Sequence, residues 1–504
     1  MFIKNFTKPI IKSPSTVYDS TVIQRLLLSI PLLLILGIYN AAYAQELPDL
    51  GDPFRDDFSL FQEQVVGASI MGKIRSSPTY VSDPEVIEYI NHLGYRLVAN
   101  SDSPGQDFQF FVLINPTINA FAFPGGYVGV HSGLILESDN ESMLAGVLSH
   151  EVAHVTQRHI ARVIAAQNKA RIGSLAAMAA AILASRSSGD LTQAAVMTSA
   201  ALPMQTQLNF TRAHEREADR IGLRTLEKAQ FDPHQVPLFF RYLQRQSRLY
   251  ESGIPEFLRT HPITSDRVAD IEARLTKMAR RQVLDSVELL FLKARLRVYQ
   301  EGAVSAFEIF DEQIQSDNRA VKLAGMYGSV FSLIAEEDLY LMDLEKARET
   351  LDSLLKEEPG HPMLLSLQAD FERLFGDRKI ADKVYLSALA RYPDRKSLVY
   401  GYAELLLSSQ RYVELESMMS GLVLSSESKN PKFYEFRAKA YSGLKQKMPM
   451  HRDYAEVLAL TGNLVGAINE LLLAQKAIDG DFFLRTSVDS RLKELREVQQ
   501  ALRQ

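Results

Sequence analysis

Apolar residues follow two different rhythms along this chain, and the change between them divides it. From Asp83 to Val98 the apolar positions Val86, Ile87, Ile90, Leu93 and Leu97 recur at helical spacing. Phe108 to Ile114 is instead a β-rich run that stops at Asn115-Pro116, and a second β-like stretch surrounds Tyr127-Val128-Gly129-Val130. Between them lies Asn119-Ala120-Phe121-Ala122-Phe123-Pro124-Gly125-Gly126, whose Pro-Gly-Gly marks a tight turn. These residues predict a small sheet with a hairpin. Residues 45 to about 66 are polar, carry turn signals at Gly51-Asp52-Pro53, and read as an entry segment.

Helical spacing dominates from Ser142 onward. Ile172 to Leu183 is Ala-rich and apolar almost all round, and with Leu191 to Ala201 it flanks a polar tip, Ser185 to Asp190. A buried helical hairpin is expected there, with a lid or membrane-touching element as the alternative. Neither arm is long enough to span a bilayer. After about residue 285 the helical pattern repeats. Gly376, Ala381, Tyr385, Ala388 and Pro393 have the spacing of a tetratricopeptide repeat's second helix and its terminating proline. Ala347, Leu351 and Pro359 precede them by one period of about 34 residues, and Gly462, Ala467, Leu471 and Ala474 reproduce the pattern further on. Small residues at these places let paired helices approach closely.

Composition adds limits rather than direction. The chain has 504 residues, 46% hydrophobic and 23% charged, with a formal net charge of −5. That is the profile of a multi-domain globular protein, with no basic excess to suggest nucleic acid. Lys4, Lys8, Lys12 and Arg25, an apolar run from Leu26 to Tyr39, and Ala42-Tyr43-Ala44 read in order as a secretory leader over 1–44. The apolar run is shorter than the roughly 20 residues a spanning helix needs. No cysteine is present, so a lipid-anchored cysteine and a disulfide are both excluded.

The chemistry is concentrated in Leu148-Ser149-His150-Glu151-Val152-Ala153-His154. Met143, Leu144, Val147, Leu148 and Val152 form the buried stripe of a helix, on which residues four apart share a face. His150 and His154 can therefore present two imidazole nitrogens to one zinc ion, with Glu151 beside them as a base for water. A chance match to this pattern is expected about once in a hundred chains of this length. Such a site needs a third protein ligand. Arg212 to Asp219 reads as a second helix, on which Glu215 and Asp219 share a face; one can bind metal while the other orients a ligand histidine. Spacing alone does not choose between them. His214 and Glu217 point elsewhere and read as solvated or structural.

The Asn119–Gly126 segment, the His-Glu-x-x-His helix and Glu215-Arg216-Glu217-Ala218-Asp219 resemble, in that order, the metallopeptidase family containing the HtpX and CaaX-prenyl proteases. That resemblance implies Glu215 as the third zinc ligand, which leaves Asp219 as the acceptor that orients a ligand histidine; two His and one Glu with an open position describe one zinc per chain. It likens Asn119, Ala120, Phe121 and Ala122 to the family's edge strand, where an extended substrate adds backbone hydrogen bonds; a purely structural hairpin is the alternative. Taken with the leader and the tetratricopeptide repeats, it narrows to exported, repeat-bearing members of the Gram-negative periplasm. These carry a Thr-His-Pro segment, matched by Thr260-His261-Pro262, which implies His261 as a latch or fourth ligand over the metal. Arg267 is either a structural partner or a substrate contact.

The fold expected is α+β and mostly helical: a zincin-type metalloprotease domain with a small sheet over 45–284, then a tetratricopeptide-repeat solenoid over 285–504. The resemblance implies a periplasmic zinc endopeptidase of envelope quality control. Its substrates would be misfolded or stalled outer-membrane β-barrel proteins, whose assembly it also assists, with the repeats holding the outer-membrane assembly machinery. The competing reading is a chaperone or scaffold acting through its repeats over a latent metal site. Glu151 favours catalysis, because a scaffold needs no base beside two zinc-type histidines.

Overall fold

The computed structural model describes residues 59–166, 212–249, 256–336, 343–424 and 430–501. The expected leader and the Ala-rich stretch at 172–201 lie outside the described residues. Among the described residues, no helix is long and apolar enough to cross a membrane.

The leading segment turns helical sooner than its polar composition predicts. Ser59 and Gln62 close a capping box, so α1 (Leu60–Arg75) starts there, inside the entry segment. Its Ile70, Met71 and Ile74 bury against Phe111, Leu113 and Phe123 of the sheet. α2 (Pro84–Val98) begins where Asp83 caps the backbone N–H groups of Glu85 and Val86, and Pro84 supplies a φ suited to the first turn. Its periodic positions Val86, Ile90, Leu93 and Leu97 are buried.

β1 (Gln109–Leu113), β2 (Ala120–Phe123) and β3 (Tyr127–His131) form one sheet in the order β1-β3-β2. β1 runs parallel to β3, and β2 pairs antiparallel with it. Phe110 and Val112 face the main core while Phe111 and Leu113 face α1, which is why β1 is apolar from Phe110 to Leu113 rather than alternating. Gly125 and Gly126 turn the chain from β2 into β3 at φ +88° and +83°, a region that favours glycine. Backbone bonds from Val81 N–H to Val112 and from Ile114 N–H to Thr79 cover the outer side of β1. β2 forms the other edge.

Helices follow: α3 (Ser132–Glu137), α4 (Glu141–Thr156), α5 (His159–Ala166), α6 (Arg212–Lys228), α7 (Gln235–Leu249), α8 (Glu256–Thr260) and α9 (Ser265–Leu275). The helical half opens with α10 (Val287–Glu301) and continues to Phe482–Ala501, each helix packing on its neighbours along the chain. Ala347, Leu351, Ala381, Tyr385, Ala388, Ala467, Leu471 and Ala474 are all buried, as the repeat spacing requires.

Buried charge joins the two halves. Asp83 accepts from Arg295 Nη1 at 2.6 Å and Tyr299 OH at 2.5 Å, Glu85 pairs with Arg395, and Glu88 accepts from the Lys396 N–H at 2.7 Å. Burial outweighs these partners at Glu88 and pushes its carboxyl up to about 7. Ionising it therefore costs the folded state, and stability falls as pH rises from the ordinary glutamate range of about 4.3 through that value. Glu88→Gln is expected to stabilise the protein at pH 8 by on the order of 2 kcal/mol and to leave it unchanged at pH 5. Thermal unfolding at the two pH values checks this; equal shifts at both would show that Glu88 ionisation is not what strains the seam.

Candidate active site

α4 is interior along nearly its whole length, and that position decides what its polar residues can do. Asn140 caps it by accepting the Met143 N–H, and Met143, Leu144, Val147, Leu148 and Val152 anchor it in the core. α6 crosses it closely at Gly222, where a Cβ would stand 3.1 Å from Ser149 O and 3.2 Å from His150 Cα. A side chain there would require the two helices that carry the candidate ligands to give by a few tenths of an ångström.

On α4, His150 Nε2 and His154 Nε2 lie 3.0 Å apart. Glu215 of α6 places Oε2 at 3.5 Å from the first and Oε1 at 3.4 Å from the second. His261, just past α8, brings Nδ1 to 3.1 Å from Glu215 Oε1 and 3.3 Å from His150 Nε2. All four residues are buried, with these donor atoms within 4.8 Å of one another. Donors about 2.0–2.1 Å from a tetrahedral ion stand about 3.3 Å apart, so the set fits one metal ion of the zinc type.

The electrostatics are those of a site built around a cation. Burial alone would raise Glu215, but the His261, His150 and His154 rings overrule it and hold the carboxyl well below its ordinary range. Burial would lower His150, yet the Asp219 and Glu215 carboxylates carry it up to about 9. His154 is held well below its usual value, chiefly by burial. Asp219 lies 3.1 Å from His150 Nδ1, as expected for the partner that orients a ligand histidine. Arg267 is a structural partner: it grips Asp219 with two 2.7 Å bonds, reaches Glu215 at 2.7 Å, and donates to the Pro262 carbonyl at 2.8 Å.

Glu151 is fully buried, and burial raises its pKa. Neither of its oxygens closes a hydrogen bond among the described residues. His261 Nε2 stands 3.3 Å from one of them, and the Ala122 N–H is directed toward the carboxylate. A buried carboxylate with unused lone pairs suits a group that receives a proton.

The edge strand faces this carboxylate. His131 N–H donates to the Asn119 carbonyl at 3.0 Å, which makes Asn119, Phe121 and Phe123 the hydrogen-bonded partners of β3. Ala120 and Ala122 therefore turn their backbone groups to the open edge.

Sequence patterns alone do not reveal His159. Its Nδ1 lies 2.9 Å from His154 Nδ1, its Nε2 lies 3.1 Å from Glu217 Oε2, and its ring stacks on His214. Glu217 and His214 are thus structural rather than solvated, the second of the two roles their spacing allows. The available signal is a third histidine five residues past His154, placed by Arg158, which takes φ +51° between α4 and α5.

Residues 84–275 match Peptidase family M48. The β-barrel assembly-enhancing protease of Escherichia coli (strain K12) is 32% identical over 460 residues, 91% of this chain and 92% of that one. The Yersinia pestis protein of the same name is 31% identical over 96% of this chain and 99% of its own. Mitochondrial metalloendopeptidase OMA1 of Schizosaccharomyces pombe is 31% identical over 47% of this chain and 68% of its own. A cluster of buried side chains able to hold a metal ion around a His-Glu-x-x-His helix and a relative alike over nearly the whole length lead to one conclusion: the chain is a metallopeptidase belonging to peptidase family M48, in the group of the β-barrel assembly-enhancing proteases.

Proposed function

We propose that this metallopeptidase is a periplasmic zinc endopeptidase that removes misfolded or stalled outer-membrane β-barrel proteins and assists their assembly. The observation that carries the reading is the buried convergence of His150, His154, Glu215 and His261 beside the fully buried carboxylate of Glu151. His150, His154 and Glu215 hold one zinc, and Asp219 orients His150. Zinc, when bound, supplies a Lewis acid that polarises the scissile carbonyl and acidifies water. Glu151 takes the proton of the attacking water and returns it to the departing amine. An extended substrate adds to β2 through Ala120 and Ala122, which presents its backbone to Glu151.

In this reading His261 is a latch. It would supply a fourth donor to the metal, and its Nε2 stands 3.3 Å from Glu151, so both parts of the machinery would be engaged at rest. The latch is tied to the substrate's own edge. Phe257 N–H donates to the Ile118 carbonyl at 3.4 Å, and Thr117 Oγ1 reaches Glu256 Oε2 at 3.3 Å. Ile118 lies two residues before Ala120, just ahead of β2. A substrate strand reaching past Ala120 competes with α8 for that carbonyl.

The name of the Escherichia coli relative supports the substrate class, and the resemblance to its full length supports recruitment by the helical half. Quantitative mass spectrometry of the cell envelope, with native enzyme against Glu151→Gln, tests it. Unassembled β-barrel proteins are expected to accumulate in the variant. Accumulation confined to soluble periplasmic proteins would point to a different clientele.

A further inference from the structure

We propose that His159 is a positioning residue that fixes His154 in the one tautomer able to bind metal, with Glu217 and Arg162 holding His159 in turn; this rests on the metal-site reading above. The two Nδ1 atoms lie 2.9 Å apart, which leaves room for a single shared proton. Binding metal through Nε2 requires that proton to sit on His154, so His159 must accept with its lone pair. His159 is free to accept there only when its own proton is on Nε2, 3.1 Å from Glu217 Oε2. Arg162 Nη1, 3.2 Å from the same oxygen, keeps that carboxylate in place.

The ring itself has little freedom. His159 is fully buried, and His214 lies nearly parallel to it with centroids 4.5 Å apart and an interplanar angle of 17°. The two ligand histidines of α4 are thus supported in parallel ways. His150 donates directly to a carboxylate, Asp219, at 3.1 Å. His154 reaches its carboxylate, Glu217, through one intervening imidazole. Removing an outer partner of this type usually weakens metal binding by about 10–100-fold.

The test uses full-length native protein, His159→Leu, His159→Asn and Glu217→Ala, with zinc affinity measured by chelator competition and the visible spectrum recorded on cobalt-loaded samples. His159→Leu should bind zinc about 10–100-fold more weakly and change the cobalt bands. His159→Asn, whose side-chain oxygen can still take the His154 proton, should recover most of that loss. Glu217→Ala removes a partly exposed group at the far end of the relay and should give a smaller loss in the same direction, which keeps the test informative if His159→Leu does not fold. Nitrogen-15 shifts of the zinc-loaded native protein should place the His159 proton on Nε2. Native affinity and an unchanged cobalt spectrum in both His159→Leu and Glu217→Ala, or a His159 proton on Nδ1, would overturn the proposal. A native protein that takes up no zinc would instead sink the metal-site reading.

Discussion

Glu151→Gln is expected to cut peptide hydrolysis by about 10³-fold while the protein keeps its metal. The two effects separate because Glu151 stands outside the cluster of four donor atoms, whereas Glu215 stands inside it. Glutamine has nearly the same shape, so the packing around a fully buried side chain survives. What it lacks is basicity, and among the described residues neither of the other carboxylates at the cluster is placed to take over. Glu215 is turned into the ligand cluster, and Asp219 is held by Arg267 and His150. Burial raises the pKa of Glu151, so its ionised form costs the folded state at neutral pH, and the amide should leave thermal stability equal or higher. Glu215→Ala is the contrast: it should lose the metal and the activity together. Metal analysis beside a peptide assay checks both variants. A Glu151→Gln enzyme of native activity would remove Glu151 from the chemistry and leave the proton step without an assigned base.

Much of this site is legible in the sequence because it depends on local periodicity. Two histidines four apart on a helix must share a face, and so must Glu215 and Asp219, whatever the rest of the chain does. The apolar stripe around His150 is enough to assign that helix to the core. What spacing cannot supply is the choice between Glu215 and Asp219, which depends on how α6 crosses α4 at Gly222 and on Arg267 arriving from α9. The family resemblance supplies that choice. His159 escapes because it acts across a helix break, where periodicity stops carrying information.

The same distinction holds for the fold. The tetratricopeptide positions are readable since each is a small or aromatic residue recurring on one face, and Ala381, Tyr385 and Ala388 are buried accordingly. The parallel pairing of β1 with β3 is a non-local event that leaves no periodic trace. α1 is hidden by its polar composition, although Ser59 and Gln62 carry the cap. The seam between the halves is also invisible to periodicity. Asp83, the cap of α2, also binds Arg295 and Tyr299 from more than two hundred residues away.

His261→Ala is expected to raise basal proteolysis tenfold or more, with zinc content unchanged. His261 is almost wholly buried, its ring stacked on Phe257 at 4.8 Å, and its two nitrogens reach Glu215 and Glu151. Substituting alanine removes one of four donors and leaves His150, His154 and Glu215, the number of protein ligands a catalytic zinc site keeps. It also frees Glu151 from the neighbouring imidazole. If the closed arrangement is favoured by about 1.4–2.8 kcal/mol, only about 1–10% of native molecules are open at rest, and the rise should be about 10–100-fold. A substrate that engages β2 would release the native latch by displacing the Phe257–Ile118 contact, so the difference between variant and native should narrow on long, strand-forming substrates. Short peptides, which cannot reach Ile118, should show the largest gap. The measurement is initial rate on both substrate types with purified native enzyme and His261→Ala. A lower rate in the variant would make His261 a participant in the chemistry through its contact with Glu151. Equal rates would leave it as packing beneath Phe257.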